Sequence, residues 1–242
     1  MLRITDARTG EPVAAAPARR GLTRVEAHAS GFDASGLRVL LVADLLVRAL
    51  ELGGTPVWAL LTGDREQAEL RAGATALGTR PFEDSSDLGA ALGEAQVVHV
   101  VGGDGAAPDG VRIAVAPVHS AMTLAPGSAD DPAVMRLALL ARPRGLPLRL
   151  DEPALAGAHR VLERWRRAVA AWASRPSRPV PDEVRGRLRD AWEDDLDVPA
   201  VLGVLEWVEH RPDLDDGARF ETYAYADRLL GLDLARDLGR MP

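Results

Sequence analysis

The stretch HASGFDASGLR, residues 28–38, carries small, polar and glycine residues between a short apolar run and a long amphipathic one. A turn of this kind between a strand and a helix can present backbone N–H groups to a phosphate at the helix N-terminus. The candidate anion-binding residues in it are Ser30, Gly31, Ser35 and Gly36. The same residue types also cap helices and form turns, so the pattern leaves both roles open.

A second polar turn follows the apolar run VVHVV. Gly102, Gly103 and Asp104 stand where a parallel strand would leave the carboxyl edge of its sheet. We predict that they contribute to a ligand pocket there, with His99 pointing into it. The alternative is a tight turn for the glycines and a hydrogen-bonded core position for His99. His28 alternates with apolar neighbours and has the same two interpretations.

These turns lie within an alternation of strand-like and helix-like patterns. RVLLVADLLVRALELGG has apolar residues at helical spacing, whereas TPVWALLTGD, AQVVHVVGGDG and VRIAVAPV are continuous apolar runs typical of buried strands. From Ala133 onward the patterns are helical and strand signals are absent. We predict an α/β fold, with a Rossmann-like parallel sheet and a shortened insertion in residues 1–130 and an α-helical bundle in residues 131–242.

The composition excludes several classes of protein. The chain has 242 residues, enough for a substantial core, and charges interrupt its apolar stretches well short of a membrane span. Because no apolar leader is visible at the N-terminus, we expect a cytoplasmic protein with no membrane partner. The net charge of −7 argues against broad nucleic-acid binding. The chain contains neither Cys nor Lys, which removes thiolate ligands and one common phosphate-binding group.

Four longer stretches, taken in order, form a recognisable set. They are MLRITDARTGEPV, VEAHASGFDASGLRVLLVADLLVRALELGGTPVWALLTGD, ADDPAVMRLALLARPRGLPLRLDEPALAGAHRVLERW and LRDAWEDDLDVPAVLGVLEWV. The set resembles the cysteinyl-tRNA synthetase family of class I aminoacyl-tRNA synthetases. The four parts are similar to its N-terminal β-ribbon, the segment through its HIGH helix, the stretch after its KMSKS loop, and a helix pair with adjacent aspartates. The resemblance extends to the related mycothiol cysteine ligase, which joins cysteine to an amino sugar.

The resemblance implies ATP-dependent amino-acid activation, yet the motifs that perform it are altered. In the family, the HIGH histidines and KMSKS lysines stabilise the ATP phosphates and the leaving pyrophosphate. HIGH falls on Asp33–Gly36, which places a carboxylate where the phosphates should lie, and the loop's one cation, Arg38, is expected to point along the helix. The KMSKS region corresponds to APVHSAMTLAPG, in which His119 is the remaining candidate ligand contact. We therefore assign no catalytic residue.

The resemblance also implies a zinc ion that selects the cysteine thiol and is held by two Cys, a His and a Glu. Its first ligand corresponds to Ser30, and a serine hydroxyl is a poor zinc ligand. The rest of the cage should lie in an insertion that this chain almost wholly lacks. The five His are scattered in sequence, so we expect no metal site and no bound zinc.

Together these observations predict a non-catalytic paralogue that binds a small molecule or a protein partner. The small molecule would be an adenine nucleotide, ATP or AMP, or an aminoacyl-adenylate-like compound. The alternative is a divergent ATP-dependent ligase that still activates an amino acid. We do not expect tRNA binding, because the arginines of residues 160–189 are interpreted as a solvated helix face over Trp165 and Trp172 in the core.

Overall fold

A five-stranded parallel sheet forms the centre of the computed structural model, which describes residues 1–17, 21–63, 65–84, 94–103, 109–122, 124 and 131–239. The strands are β1 (Arg3–Thr5), β2 (Pro12–Ala14), β3 (Leu22–His28), β4 (Val57–Thr62), β5 (Glu83–Asp84), β6 (Glu94–Gly102), β7 (Val111–Val115), β8 (Val118–Ser120) and β9 (Leu148–Leu150). The central sheet has the order β5-β4-β3-β6-β7, and all its neighbours are parallel. The strand order therefore reverses between β3 and β6, as in doubly wound nucleotide-binding folds, and the predicted Rossmann-like fold is confirmed.

Seven helices complete the described part of the chain, and five of them form its second half. They are α1 (Ala34–Leu52), α2 (Gln67–Ala76), α3 (Pro132–Leu140), α4 (Glu152–Trp172), α5 (Asp182–Glu193), α6 (Val198–Glu209) and α7 (Asp216–Leu230). The helical character predicted for the second half is confirmed. The division into domains at residue 130 stays a prediction. None of the described helices is long and apolar enough to cross a membrane.

Helix α1 connects the sheet to the helical half and is buried along most of its length. Asp33 caps its N-terminus by accepting a hydrogen bond from the Gly36 N–H at 2.7 Å. The helix packs on β3, β4 and β6 and also contacts α3 and α7. It ends at Gly53, followed by Gly54 with a φ of +81°, which confirms the end predicted from the glycine pair.

The sequence predicts no strand after Ala133, and this prediction is wrong at one place. Strand β9 pairs in parallel with β8, with Val118 opposite Leu148 and Ser120 opposite Leu150. It has only three residues, so it offers no periodic pattern, and its hydrogen bonds depend on a partner about thirty residues earlier in the chain. An antiparallel ribbon of β1 and β2, as the resemblance implies, lies at the start of the chain.

The interpretation of the 160–189 arginines as a solvated face is correct for most of them and wrong for Arg166. Trp165 and Trp172 lie in the core, as predicted. Arg166 is also buried: it forms an ion pair with Asp131 and donates to the carbonyl oxygens of Leu232 and Asp233. A buried guanidinium needs such partners, and they come from distant parts of the chain.

Two other buried arginines form hydrogen bonds between α1 and later parts of the chain. Arg38 points away from the turn, as predicted, into a ring of carbonyl oxygens. They belong to Ala116, Leu139, Arg142, Pro143 and Leu146, at distances of 2.9–3.2 Å. Arg136 of α3 is fully buried and places Nη2 2.6 Å from Oδ2 of Asp44 in α1.

Candidate functional site

A crevice of about 680 Å³ lies at the carboxyl ends of β3, β4 and β6, where the strand order reverses. Doubly wound folds bind ligands at this point, because strand ends and turns meet there without side chains filling the space. The crevice is lined by His28, Ala29, Ser30, Ser35, Gly36, Val39, Thr62, Gly63, Arg65, Gly102, Gly103, Val115 and Pro117. The structure thus brings together both polar turns singled out in the sequence.

Five of the predicted site residues line this crevice. They are Ser30, Ser35, Gly36, Gly102 and Gly103. Gly31 and His99 are not among the lining residues, and Asp104 lies outside the described residues. The binding role predicted for all of them stays a prediction.

The β3–α1 turn shows both of the roles that its sequence allows. The Gly36 N–H is already used by the Asp33 cap, and Ser35 Oγ accepts a hydrogen bond from the Val118 N–H at 3.0 Å. A Cβ on Gly36 would lie 2.4 Å from the Gly31 carbonyl oxygen, so this close approach requires glycine. The turn is therefore a preorganised wall of the crevice, with fewer free donors than its sequence suggests.

Gly102 and Gly103 form the opposite wall. Gly103 has a φ of +53°, which favours glycine, and its N–H donates to the Val115 carbonyl oxygen at 2.9 Å. A positive φ is compatible with the tight-turn interpretation, which stays a prediction. Because glycine has no side chain, the backbone of this turn borders the crevice directly.

His119 does not line the crevice, although we predicted that it contacts the same ligand as the other candidate residues. It is exposed on β8 opposite Arg149 of β9, and it borders a separate shallow depression with Arg149 and Asp151. Strand β8 pairs with β9, which the sequence does not predict, and this pairing places His119 beside the segment that precedes α4.

Sequence reasoning missed a cation at the crevice. Arg65, just after β4, lines it and is exposed to solvent. The one available signal was its position, since the carboxyl end of β4 must reach the same sheet edge as the ends of β3 and β6. Among the described lining residues, one guanidinium is therefore available to an anion, although the chain contains no Lys.

A carboxylate lies beside the β3–α1 turn. Glu66 accepts a hydrogen bond from the Phe32 N–H through Oε2 at 2.9 Å. Its φ of +50° is unusual for a residue other than glycine. Its negative charge lies near the N-terminus of α1, where an anionic ligand would otherwise benefit from the helix dipole.

Below the crevice floor, two histidines and a glutamate form a polar cluster. His28 Nε2 lies 2.9 Å from Nδ1 of buried His99, and that same Nδ1 lies 3.3 Å from Oε2 of Glu26. The other Glu26 oxygen accepts the Thr62 hydroxyl at 2.7 Å. His99 is thus a hydrogen-bonded core histidine, as the alternative interpretation held, while His28 is half-buried and reaches the crevice.

The cluster perturbs the ionisation of two members. The hydrogen bond from His99 lowers the pKa of Glu26 to about 2; burial opposes this shift, and the Thr62 hydroxyl and the histidine charges reinforce it. Burial lowers the pKa of His28; the Glu26 charge opposes this shift, and His99 and Arg112 reinforce it. At neutral pH, Glu26 is therefore a carboxylate and His28 a neutral imidazole.

The residues present do not fit the zinc cage that the resemblance implies. The chain has no Cys, and Ser30 at the first ligand position offers only a hydroxyl. No step of the chemistry is therefore assigned to that cage.

The strand order and the crevice at its reversal define a protein of the Rossmann-like α/β class. Within that class, the chain is similar to proteins named "L-cysteine:1D-myo-inositol 2-amino-2-deoxy-alpha-D-glucopyranoside ligase". One from Parafrankia sp. (strain EAN1pec) is 36% identical over 119 residues, which cover 46% of this chain and 26% of the relative. One from Streptomyces griseus subsp. griseus is 37% identical over 108 residues, covering 43% and 25%, and one from Rhodococcus jostii (strain RHA1) is 36% identical over 114 residues, covering 46% and 26%.

These relatives confirm the predicted resemblance to the mycothiol cysteine ligase. The matched segment spans about a quarter of the length of each relative. No family model matches the chain.

Proposed function

We propose that the chain binds an adenylate-type ligand in the crevice, as AMP, ATP or an aminoacyl-adenylate-like molecule, without activating an amino acid. The observation that carries this proposal is the crevice at the β3/β6 reversal, with backbone turns on both walls and Arg65 at its edge. Small ligands favour concave sites with a few convergent polar groups. The resemblance to a family that activates amino acids with ATP suggests this ligand class, and relatives named as cysteine ligases agree with that resemblance.

Among the residues that the structure describes, the same crevice lacks the groups that amino-acid activation requires. Charge develops on the phosphates as the carboxylate attacks ATP, and removing one preorganised donor for such charge costs about 10²–10³ in rate. Asp33 occupies the HIGH position and serves as the cap of α1, and no Lys exists to neutralise pyrophosphate. A single exposed Arg65 supports anion binding better than catalysis.

The second candidate is an active ATP-dependent ligase with a rebuilt site. It is favoured by the names of the relatives, which describe ligation of L-cysteine to an amino sugar linked to inositol. A protein partner that supplies the missing groups is compatible with either candidate. We do not propose tRNA as a partner.

Binding is tested first with AMP, ATP and a non-hydrolysable cysteinyl-adenylate analogue. At about 100 times its dissociation constant, a ligand stabilises the folded state by about 2.7 kcal/mol, which raises the melting temperature by about 5–10 °C in a chain of this length. We expect Arg65→Gln to weaken binding roughly 3- to 5-fold, as for an exposed charge pair. Arg160→Gln, the same change on the exposed face of α4, should leave affinity unchanged. No shift with any of the three ligands would contradict the proposal.

Catalysis is tested separately by amino-acid-dependent exchange of labelled pyrophosphate into ATP, over all twenty amino acids. We expect exchange at background, with a cysteinyl-tRNA synthetase as the positive control. Exchange above background that disappears in Asp33→Asn would establish the ligase candidate instead. Because nucleotide binding is measured independently, absence of exchange is informative only when binding is present.

The Glu66 carboxylate is expected to oppose anionic ligands. Glu66→Gln removes one negative charge from the vicinity of the α1 N-terminus while keeping an oxygen that can accept the Phe32 N–H. We expect the affinity for AMP to rise about 2- to 5-fold, the usual size of a charge effect at a helix terminus. Glu69→Gln, an exposed change on α2, is the matched control. Equal affinities in a calorimetric titration of both variants would show that Glu66 has no such effect.

A further inference from the structure

We propose that Glu26, His28 and His99 form a binding site for one divalent transition-metal ion of zinc-like preference, opening into the crevice through His28. Within the described ranges, these three residues are the only group of three or more His, Asp or Glu placed closely enough to hold a metal ion. The proposal is independent of the adenylate-type ligand.

The donor atoms have the spacing of a metal site. One nitrogen from each histidine and one glutamate oxygen all lie within 4.8 Å of one another, and two of the separations are 2.9 and 3.3 Å. With bonds of about 2.0–2.2 Å, two donors on a tetrahedral zinc lie about 3.4 Å apart. Changes of up to about 0.5 Å in the two shorter separations and up to about 1.4 Å in the longest therefore bring all three onto one ion.

The chemistry of the donors points to the same class of ion. Two imidazoles and one carboxylate are a set that zinc uses in open sites, where a fourth position is left to water or a ligand. A carboxylate and a neutral imidazole are the forms in which Glu and His ligate a metal. Thr62 holds the second Glu26 oxygen, as outer partners of ligating carboxylates do.

The sheet itself positions the three residues. Glu26 and His28 are two residues apart on β3 and share one face, and Glu26 lies directly opposite His99 on β6. His28 borders the crevice, which provides an entry path for the ion. The set differs from the cage implied by the resemblance, because it includes neither Ser30 nor an insertion. It replaces our expectation of no metal, which treated the histidines as scattered.

The positive charges of two nearby arginines are expected to weaken binding of the metal ion. Arg24 Nε lies 3.9 Å from the Glu26 carboxylate, and the charge of Arg112 acts on His28. A dissociation constant on the order of 1 µM is therefore a reasonable expectation, weaker than for closed structural zinc sites.

The test titrates Co²⁺ into tag-free, chelator-treated protein and follows its visible absorption, then displaces it with Zn²⁺. We expect one Co²⁺ per chain, with the intense bands of a four- or five-coordinate ion, and competition by Zn²⁺. His28→Gln and Glu26→Gln should each weaken binding about 100-fold or more. His119→Gln, an exposed histidine outside the cluster, should bind as the wild type.

Circular dichroism and melting of the metal-free variants show whether each remains folded. His28 is half-buried, so His28→Gln provides the informative result if Glu26→Gln does not fold. Absence of Co²⁺ binding at 100 µM, or binding that is undiminished in folded His28→Gln, would overturn the proposal and leave the cluster as a hydrogen-bonded network.

Discussion

Replacement of Arg38 by Met is expected to destabilise the protein by about 4 kcal/mol, one of the two largest losses that we predict for a single change. Arg38 is buried, and its guanidinium donates to five carbonyl oxygens. Four of these contacts belong to the α3–β9 region, residues 139–146, and one to Ala116 before β8. One side chain therefore joins α1 of the first half to the segment between α3 and β9 in the second half.

The expected loss of stability arises from the carbonyl oxygens that have no hydrogen-bond donor in Arg38→Met. Each buried carbonyl without a donor costs about 1–3 kcal/mol, and some of the five will regain water, so the total is well below their sum. Burial and the charge of Arg142 lower the pKa of Arg38 to about 10, so it remains protonated at neutral pH and all its donors are available. Methionine retains part of the apolar packing and none of the hydrogen bonds.

Urea denaturation measures this loss as a change in the free energy of unfolding. Arg142→Met is the control, because Arg142 is exposed and contributes its backbone carbonyl, rather than its side chain, to the ring around Arg38. We expect the control to differ from the wild type by less than about 0.5 kcal/mol. If both variants are equally stable, the carbonyl ring does not hold the segment.

The second large effect concerns Arg136, for which Arg136→Met is expected to cost about 3–5 kcal/mol. Arg136 is fully buried, donates to the carbonyl oxygens of Leu77 and Leu230, and pairs with Asp44 at 2.6 Å. Burial lowers the pKa of Arg136, and the charge of Asp44 opposes that shift. Removing one partner of a buried pair leaves the other charge without full compensation, which accounts for the magnitude.

A double-mutant cycle measures the interaction free energy between Arg136 and Asp44 separately from their other contacts. Asp44 also accepts from Arg48 Nε at 2.8 Å through Oδ2 and from the Arg80 N–H at 3.0 Å through Oδ1. Asp44→Asn removes the charge and keeps one acceptor oxygen, so its loss as a single variant includes one of these two contacts. We expect the double variant to lose at least about 1 kcal/mol less than the sum of the two single losses. Additive losses would mean that Arg136 acts through its carbonyl contacts alone.

The sequence determined the elements and the edge at which the crevice forms. Continuous apolar runs such as that of β6 predict buried parallel strands, and helical spacing predicts α1, because both signals are local. The carboxyl ends of parallel strands meet at one edge, so the sequence places the turns at Ser30 and Gly103 at that edge. Local patterns also sufficed for Trp165 and Trp172 in the core.

Only the tertiary structure decided which distant side chains meet. The contact between His28 and His99 depends on the register of β3 against β6, and these residues are far apart in the chain. Arginines are exposed by default, so the burial of Arg38 and Arg136 could not be deduced from their type or spacing. Likewise, β9 exists through its pairing with β8. Each of these features is a long-range contact whose free energy no local pattern encodes, whereas the helices and central strands are encoded by the periodicity of the residues that form them.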